Sequence, residues 1–367
     1  MSKAGFATLL ALALAIRLLL IATSFGSTDA LLLMGYAHLA ERFGIGAAYR
    51  FAPWNHPPLS GLIMVAADRL GSHIGLEFPD VFRLFQVVAD VVCAAILYQL
   101  SKSREVVAFF FASPAAIFLS GFHCNADPTM TALLLAAVWL SSGALLGAAT
   151  GIKIAPLPLV PFFLIDLSWR RRLTFLLGWA IVLAAIFIPT VITSGPTVLH
   201  NVFGYSGTGS EWGFCGVGFL LRNLAWAQFY ARIGKYAVIV ALVALFLFFW
   251  RYRTPLPAMI GTGLLTMNFF SPAFGVQYLV WPLPFLLFAL PRKLAYALNV
   301  ALSLFLFATY TIWAREFPWW FANAAAPNPL QPLVAVFALP LWILYGIAII
   351  AAIARTKRAT PIRNEIG

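Results

Sequence analysis

Apolar residues follow one another along the chain in long runs, broken only by short polar or Pro/Gly/Asn-rich interruptions. The clearest runs lie at 6–23, 82–100, 106–122, 129–140, 173–193, 236–250, 255–270, 276–290, 294–312 and 332–354. Most approach the roughly 20 residues that a transmembrane helix needs, and they lack the strict alternation of a half-buried strand. The pattern predicts an all-α polytopic membrane protein with about 10–12 transmembrane helices. No hydrophilic linker or fixed-period repeat interrupts it, so residues 1–367 read as one membrane domain. No small-residue cleavage site follows the first run, which therefore reads as a span and not a removed signal peptide.

Composition agrees: 62% of the 367 residues are apolar and only 10% charged, too few to solvate a water-soluble globule of this size. Lys and Arg outnumber Asp and Glu by 24 to 12, a net charge of +12. In a soluble protein that excess would point to nucleic acid. Here it falls in short clusters at the ends of apolar runs: Lys102 with Arg104, Arg170 to Arg172, Arg251 with Arg253, Arg292 with Lys293, and Arg355 with Lys357 and Arg358. Such clusters mark the cytoplasmic side. The opposite face then holds the loops 24–80, 121–128, 194–229, 271–277 and 314–331. The long first loop carries interfacial helices, one of them amphipathic, and 194–229 is a second large outer loop. Even crossing between Lys102 and Arg170 requires that 145–167 be a re-entrant pair, broken near Lys153 and Pro156. No Asn-x-Ser/Thr sequon occurs, which favours a bacterial inner membrane with the outer loops in the periplasm over the endoplasmic reticulum. Three cysteines without metal spacing indicate neither zinc nor a disulfide scaffold.

Nearly every unusual polar residue falls in those outer loops. Asp29 opens a helical pattern after Ser27 and Thr28, and it reads either as a helix cap or as a general base aimed between spans. In Trp54-Asn55-His56-Pro57-Pro58, an interfacial aromatic belt explains Trp54 but explains His56 less well. His123, Asn125 and Asp127 crowd one short turn, although Asp127 before Pro128 is also an ordinary helix start. Lys153 stands alone in an apolar stretch, either snorkelling to a surface or awaiting an anion. Gln277 and Tyr278 enter a span with groups that need hydrogen-bond partners. GxSxG, Walker and GxGxxG motifs are absent, as is any Asp-x-Asp pair in the outer loops.

Taken in order, these features resemble the integral-membrane glycosyltransferases of the GT-C class: the first-loop acid, the Asn55-His56-Pro57-Pro58-Leu59 turn, the polar loop 121–127, the Gly151 to Leu157 run with Lys153 and Pro156, and Gly275-Val276-Gln277-Tyr278-Leu279-Val280-Trp281. The nearest likeness is to glycosyltransferase family 87 and the GPI mannosyltransferase I catalytic subunit. The resemblance implies a GT-C-like bundle that moves a sugar, usually mannose, from a polyprenyl-phosphate donor to a hydroxyl on a lipid or glycan acceptor. It implies Asp29 as the base. Lys153, His56 and Arg222 would hold the donor phosphate, and His123, Asn125, Asp127, Gln277, Tyr278 and Trp54 would line the sugar and acceptor sites. No cofactor, divalent metal or nucleic acid is expected, and no protein partner is indicated. Two features depart from the pattern: the first-loop acid stands alone, and His56 replaces the usual Tyr. A multi-span transporter or lipid flippase is the rival reading, although it predicts internal symmetry and polar residues at mid-membrane, where these gather at one face.

Overall fold

A computed structural model describes residues 2–52, 54–204, 218, 225, 227–272 and 275–359, almost all of them helical. In chain order the helices are α1 (Lys3–Thr23), α2 (Thr28–Phe43), α3 (Ile45–Phe51), α4 (Pro58–Ile74), α5 (Phe78–Ser101), α6 (Arg104–Phe111), α7 (Pro114–Phe118), α8 (Asp127–Leu140), α9 (Gly143–Ile152), α10 (Val160–Leu164), α11 (Trp169–Ser194), α12 (Thr197–Phe203), α13 (Ala227–Arg251), α14 (Leu256–Phe270), α15 (Leu286–Ala289), α16 (Arg292–Ala314) and α17 (Val334–Ala359). Two short strands, β1 (Gly26–Ser27) and β2 (Phe321–Ala322), pair in parallel.

Among the described residues, six helices are long and apolar enough to cross a membrane: α1, α5, α11, α13, α16 and the Gln331–Arg358 segment that contains α17. A seventh is α6 joined to Pro114–His123 across a 46° bend. Pro114 accounts for the bend, because it cannot donate to the preceding turn and sits at the start of a new helix. Asp127–Leu140, Gly143–Ile152, Leu256–Phe270 and Val276–Ala289 are apolar but shorter. The expected 10–12 spans thus resolve into six or seven of full crossing length and four short ones.

Backbone packing divides the chain into two compact units where the sequence marks no boundary. The first is Met1–Leu157, Trp169–Tyr205 and Tyr310–Asn328; the second is Pro158–Ser168, Ser206–Thr309 and Pro329–Gly367. Each unit draws on three chain segments, so the lack of a hydrophilic linker follows from the interleaving.

In the first unit, buried guanidinium groups tie helices together at two levels. Arg17, midway along α1, is fully buried. It donates to Asp90 Oδ2 of α5 at 2.9 Å, to Ser120 Oγ at 2.9 Å and to the Phe111 carbonyl at 2.8 Å. That carbonyl closes α6, so Arg17 satisfies an acceptor exposed by the Pro114 break. One level higher, Arg83 of α5 donates to Ser24 O at 2.7 Å, Ser24 Oγ at 2.8 Å, Gly121 O and Ile21 O at 3.3 Å, and Asp80 Oδ1 at 3.0 Å. The end of α1 and the polar turn after α7 are thereby fixed to the start of α5.

Close backbone approach orders α9 and α11. A Cβ on Gly143 would lie 1.8 Å from Phe175 O, one on Gly147 2.8 Å from Trp179 O, and one on Gly151 2.5 Å from Ile186 Cδ1. A glycine every fourth residue makes one smooth face. Because these partners rise in step, α9 and α11 run parallel, and the chain between Lys153 and Trp169 must double back. The break falls where 145–167 is expected to break, with α9 ending at Ile152 and Lys153 extended behind it.

In the second unit, α14 packs against α13 and α17. Trp342 stacks on Phe269 at 4.6 Å, and its indole N–H donates to the Phe269 carbonyl at 3.0 Å. Tyr230 closes the end of α14 by donating to Phe270 O at 2.7 Å. The exposed surface of both units is rich in large apolar side chains such as Leu19, Ile181, Ile192, Val240 and Ile350, as lipid-facing helices require.

The Arg17–Asp90 pair yields a stability prediction. Asp90→Leu strands a buried guanidinium and lowers the unfolding free energy by about 3–5 kcal/mol, whereas Arg17→Leu with Asp90→Leu recovers part of that loss. Unfolding of purified protein in detergent reads both; a single variant as stable as wild type refutes the assignment.

Candidate functional site

The site is assembled at the end of the first unit where α1 finishes and α5 begins. Gly26 carries the chain out of α1 with φ +112°, and a Cβ there would lie 2.8 Å from the Phe122 carbonyl, so only glycine fits. Ser27 caps α2, its Oγ accepting from the Asp29 amide at 3.3 Å and donating to the His123 carbonyl at 2.6 Å. Thr28 Oγ1 accepts from the Ala324 amide at 2.9 Å beside the β1–β2 pairing. With Ser27 as the cap, the Asp29 carboxylate in the first turn is free for other work.

After α7 the backbone widens into a π-turn, Leu119–His123, and Cys124 follows in the left-handed region at φ 65°. Such a turn re-aims successive side chains, and a non-glycine left-handed residue stores on the order of 1–3 kcal/mol. Asn125 Nδ2 donates to Asp29 Oδ2 at 2.5 Å, and Asn125 Oδ1 accepts from the Ala126 amide at 2.7 Å. The buried His123 imidazole brings Nε2 to 3.3 Å from the same Asp29 oxygen, ion-pair distance but off the hydrogen-bond line.

Asp127 begins α8, whose cap position is Ala126, so the carboxylate is not a cap either. It accepts from Lys153 Nζ at 2.7 Å with both side chains buried. Lys153 therefore does not snorkel. It ends α9 at the same level as the start of α8, as the α8–α9 hairpin dictates. His56 follows Trp54 in the turn before α4, and its carbonyl accepts from Tyr49 Oη at 2.5 Å.

These charges bias one another. Burial alone would raise the Asp29 carboxyl, but His123, the Asn125 hydrogen bond and Lys153 together hold it down at about 2. Its side chain remains 27% exposed, an ionised carboxylate open to a ligand. Burial, reinforced by the Lys153 charge and opposed by Asp29, pushes the His56 imidazole down to about 3. His56 is thus neutral, a hydrogen-bonding group and not a cation.

The structure brings Asp29, His123 and Asn125 into one cluster and joins Asp127 to Lys153, with His56 within electrostatic reach of both Lys153 and Asp29. Trp54 is placed differently. Wholly buried, it is stacked between Tyr36 at 5.2 Å and Tyr49 at 5.3 Å, so neither face is open to a sugar. Gln277 and Tyr278 belong to the second unit, where the Tyr278 ring stacks on Trp281 at 4.1 Å and its carbonyl accepts from Asn268. Arg222 lies outside the described residues.

Three further groups near the site are not among the residues singled out in the sequence: Arg83, which ties together the segments that lead into Asp29 and into His123; Tyr36, two turns after Asp29 on α2; and Tyr310, whose buried ring lies 5.8 Å from His123. Arg83 had a visible signal, a basic side chain at the start of the apolar run 82–100.

Residues 54–272, more than half of the chain, match the model of glycosyltransferase family 87. The chain belongs to glycosyltransferase family 87. The matched stretch contains His56, His123, Asn125, Asp127 and Lys153, while Asp29, Gln277 and Tyr278 lie outside it. It carries nothing for the GPI mannosyltransferase I subunit in particular. No curated protein matches the chain. Family membership makes glycosyl transfer the activity class, and the long apolar helices make the chain a multi-pass membrane protein.

The neutral His56 gives a pH prediction. Between pH 6.5, the ordinary value, and about 3, the folded protein binds fewer protons at His56 than the unfolded chain does. The stability it contributes is complete above that window and is lost as pH falls through it. His56→Asn flattens this part of the profile of unfolding midpoint against pH. Asp29 adds a separate loss between 3.8 and about 2, which Asp29→Asn removes.

Proposed function

We propose that this family 87 protein transfers a sugar, mannose in the first instance, from a polyprenyl-phosphate donor to an acceptor hydroxyl on a lipid or glycan, with inversion at the anomeric carbon and within a GT-C-like bundle. One observation carries the reading: a partly exposed, ionised Asp29 lies beside His123 and Asn125, with the Lys153–Asp127 pair and neutral His56 in electrostatic reach at the same end of the first unit.

The acceptor oxygen attacks C1 from the face opposite the lipid phosphate, the C1–O bond to phosphate breaks, and its electron pair leaves with the phosphate. The acceptor proton passes to Asp29. A carboxylate held at about 2 is a weak base at rest. An anionic donor phosphate beside Lys153 neutralises part of the field that holds Asp29 down, so donor binding itself raises the basicity of Asp29. The hydroxyl also grows more acidic as its oxygen bonds to C1. Lys153, already desolvated and positioned by Asp127, meets the charge that develops on the phosphate, where a preorganised cation acts most strongly. His56 supplies a neutral hydrogen bond, and Asn125 and His123 orient Asp29 and the sugar hydroxyls. A lysine beside the phosphate supports a reaction that needs no divalent metal.

Orientation has support of its own. Arg83 fixes the start of α5 to the site, so Lys102 behind its far end lies roughly 28 Å further along the helix. Arg170 to Arg172 open α11 before Phe175, which is level with the start of α9, the end remote from Lys153. Both basic clusters of this unit thus lie away from Asp29, as the positive-inside rule requires of an active site facing the periplasm of a bacterial inner membrane. The lumenal face of the endoplasmic reticulum is the alternative.

Asp29→Asn keeps the shape of the side chain and removes its basicity. It is expected to lower transfer from labelled polyprenyl-phosphate mannose by about 10²–10⁴-fold while the protein still inserts correctly. Lys153→Met should fall comparably, and wild-type transfer should survive chelation of divalent ions. Wild-type rates from correctly inserted Asp29→Asn refute the base assignment; a requirement for a nucleotide sugar refutes the donor.

A further inference from the structure

Trp54 is wholly buried and stacks with both Tyr36 and Tyr49, each at an interplanar angle of 15°. The stack is also closed from the helix behind, where a Cβ on Gly61 would lie 2.6 Å from the Trp54 ring. Of the two tyrosines, Tyr49 is 1% exposed and its hydroxyl is committed to the His56 carbonyl. Tyr36 differs on each count. It is only half-buried, its single ring partner among the described residues is Trp54, and its hydroxyl makes no hydrogen bond to them. It follows Asp29 by seven residues, two helical turns, and therefore shares a face of α2 with it. Partial burial, reinforced by the Asp29 charge, pushes the Tyr36 hydroxyl up, so the phenol stays protonated as a donor.

We infer that Tyr36, backed by the Trp54–Tyr49 stack, is the aromatic platform of the site, taking the C–H face of a pyranose ring on its free side and donating a hydrogen bond from Oη to a ring hydroxyl. The electron-rich face of the ring suits the weakly positive C–H edge of a sugar. Stacking on Trp54 fixes the ring plane before any ligand arrives, which removes the ordering cost of binding. Asp29 and Tyr36 would then hold one sugar between base and platform. The inference rests on the proposed sugar transfer and deepens it, since the pyranose belongs either to the donor or to a glycan acceptor.

Direct binding tests the platform independently of catalysis. With protein in nanodiscs, saturation-transfer NMR with methyl α-mannoside is expected to mark the C–H protons of one sugar face in wild type and in Tyr36→Phe. The signal should be lost in Tyr36→Leu. Wild-type binding by a folded Tyr36→Leu variant, or no binding by wild type, overturns the inference. In transfer assays Tyr36→Leu should raise one KM about tenfold with kcat little changed, and Tyr36→Phe should raise it less. A raised donor KM assigns the transferred sugar and a raised acceptor KM the receiving one. A fall in kcat alone, the signature of a merely structural ring, counts against the platform. Wild-type protein that binds the mannoside but transfers from no polyprenyl-phosphate sugar sinks the proposed function and leaves the platform standing.

Discussion

A helix that ends within or near a membrane leaves carbonyls with no partner, and the first unit answers that constraint with the buried guanidinium of Arg83. Its donors take up carbonyls from Ile21, Ser24 and Gly121, and Asp80 balances its charge. Water cannot supply those bonds in a dry helix bundle, so loss of the guanidinium would leave several acceptors unpaired at once. The same contacts hold the two segments that carry the polar cluster. Ser24 leads into Asp29, and Gly121 leads into His123, Asn125 and Asp127.

Arg17 does equivalent work half a span deeper, where α6 gives way to α7. Together the two arginines make the kink and the π-turn tolerable, and the π-turn aims His123 and Asn125 back at Asp29. The Asp29 carboxylate is then kept ionised by its neighbours, against the cost of its burial. Lys153 is the most connected of these neighbours: it is paired to Asp127, lowers Asp29 and suppresses protonation of His56. A site balanced in this way responds to an incoming anion at several groups together, which suits a donor that carries a phosphate.

Much of this was legible along the chain and some was not. Asp29, His56, His123, Asn125, Asp127 and Lys153 stand out because polar side chains are expensive in so apolar a sequence, and the basic clusters give the parity that places them on one side. Trp54 misled, since an aromatic beside a polar turn looks the same in sequence whether its faces are open or stacked. Arg17, Arg83 and Asp90 were present as lone charges inside apolar runs, and the glycines at 143, 147 and 151 as a fourfold spacing. Their meaning depends on partners remote in the chain, 38 residues away for Arg83 with Gly121 and 103 for Arg17 with Ser120.

What the sequence determined by itself was the medium and the roster: apolar periodicity and scarce charge require a helical membrane protein, and the cost of burying polar groups marks which residues must have a purpose. Tertiary structure alone decided the pairing. It set which carboxylate met the lysine and which met the histidine, made His56 neutral and Asp29 strongly ionised, and enclosed Trp54 while leaving Tyr36 half-buried. Those outcomes depend on distances of a few ångströms between segments remote in the chain, and Coulomb and hydrogen-bond energies at that range are set by packing and not by residue order.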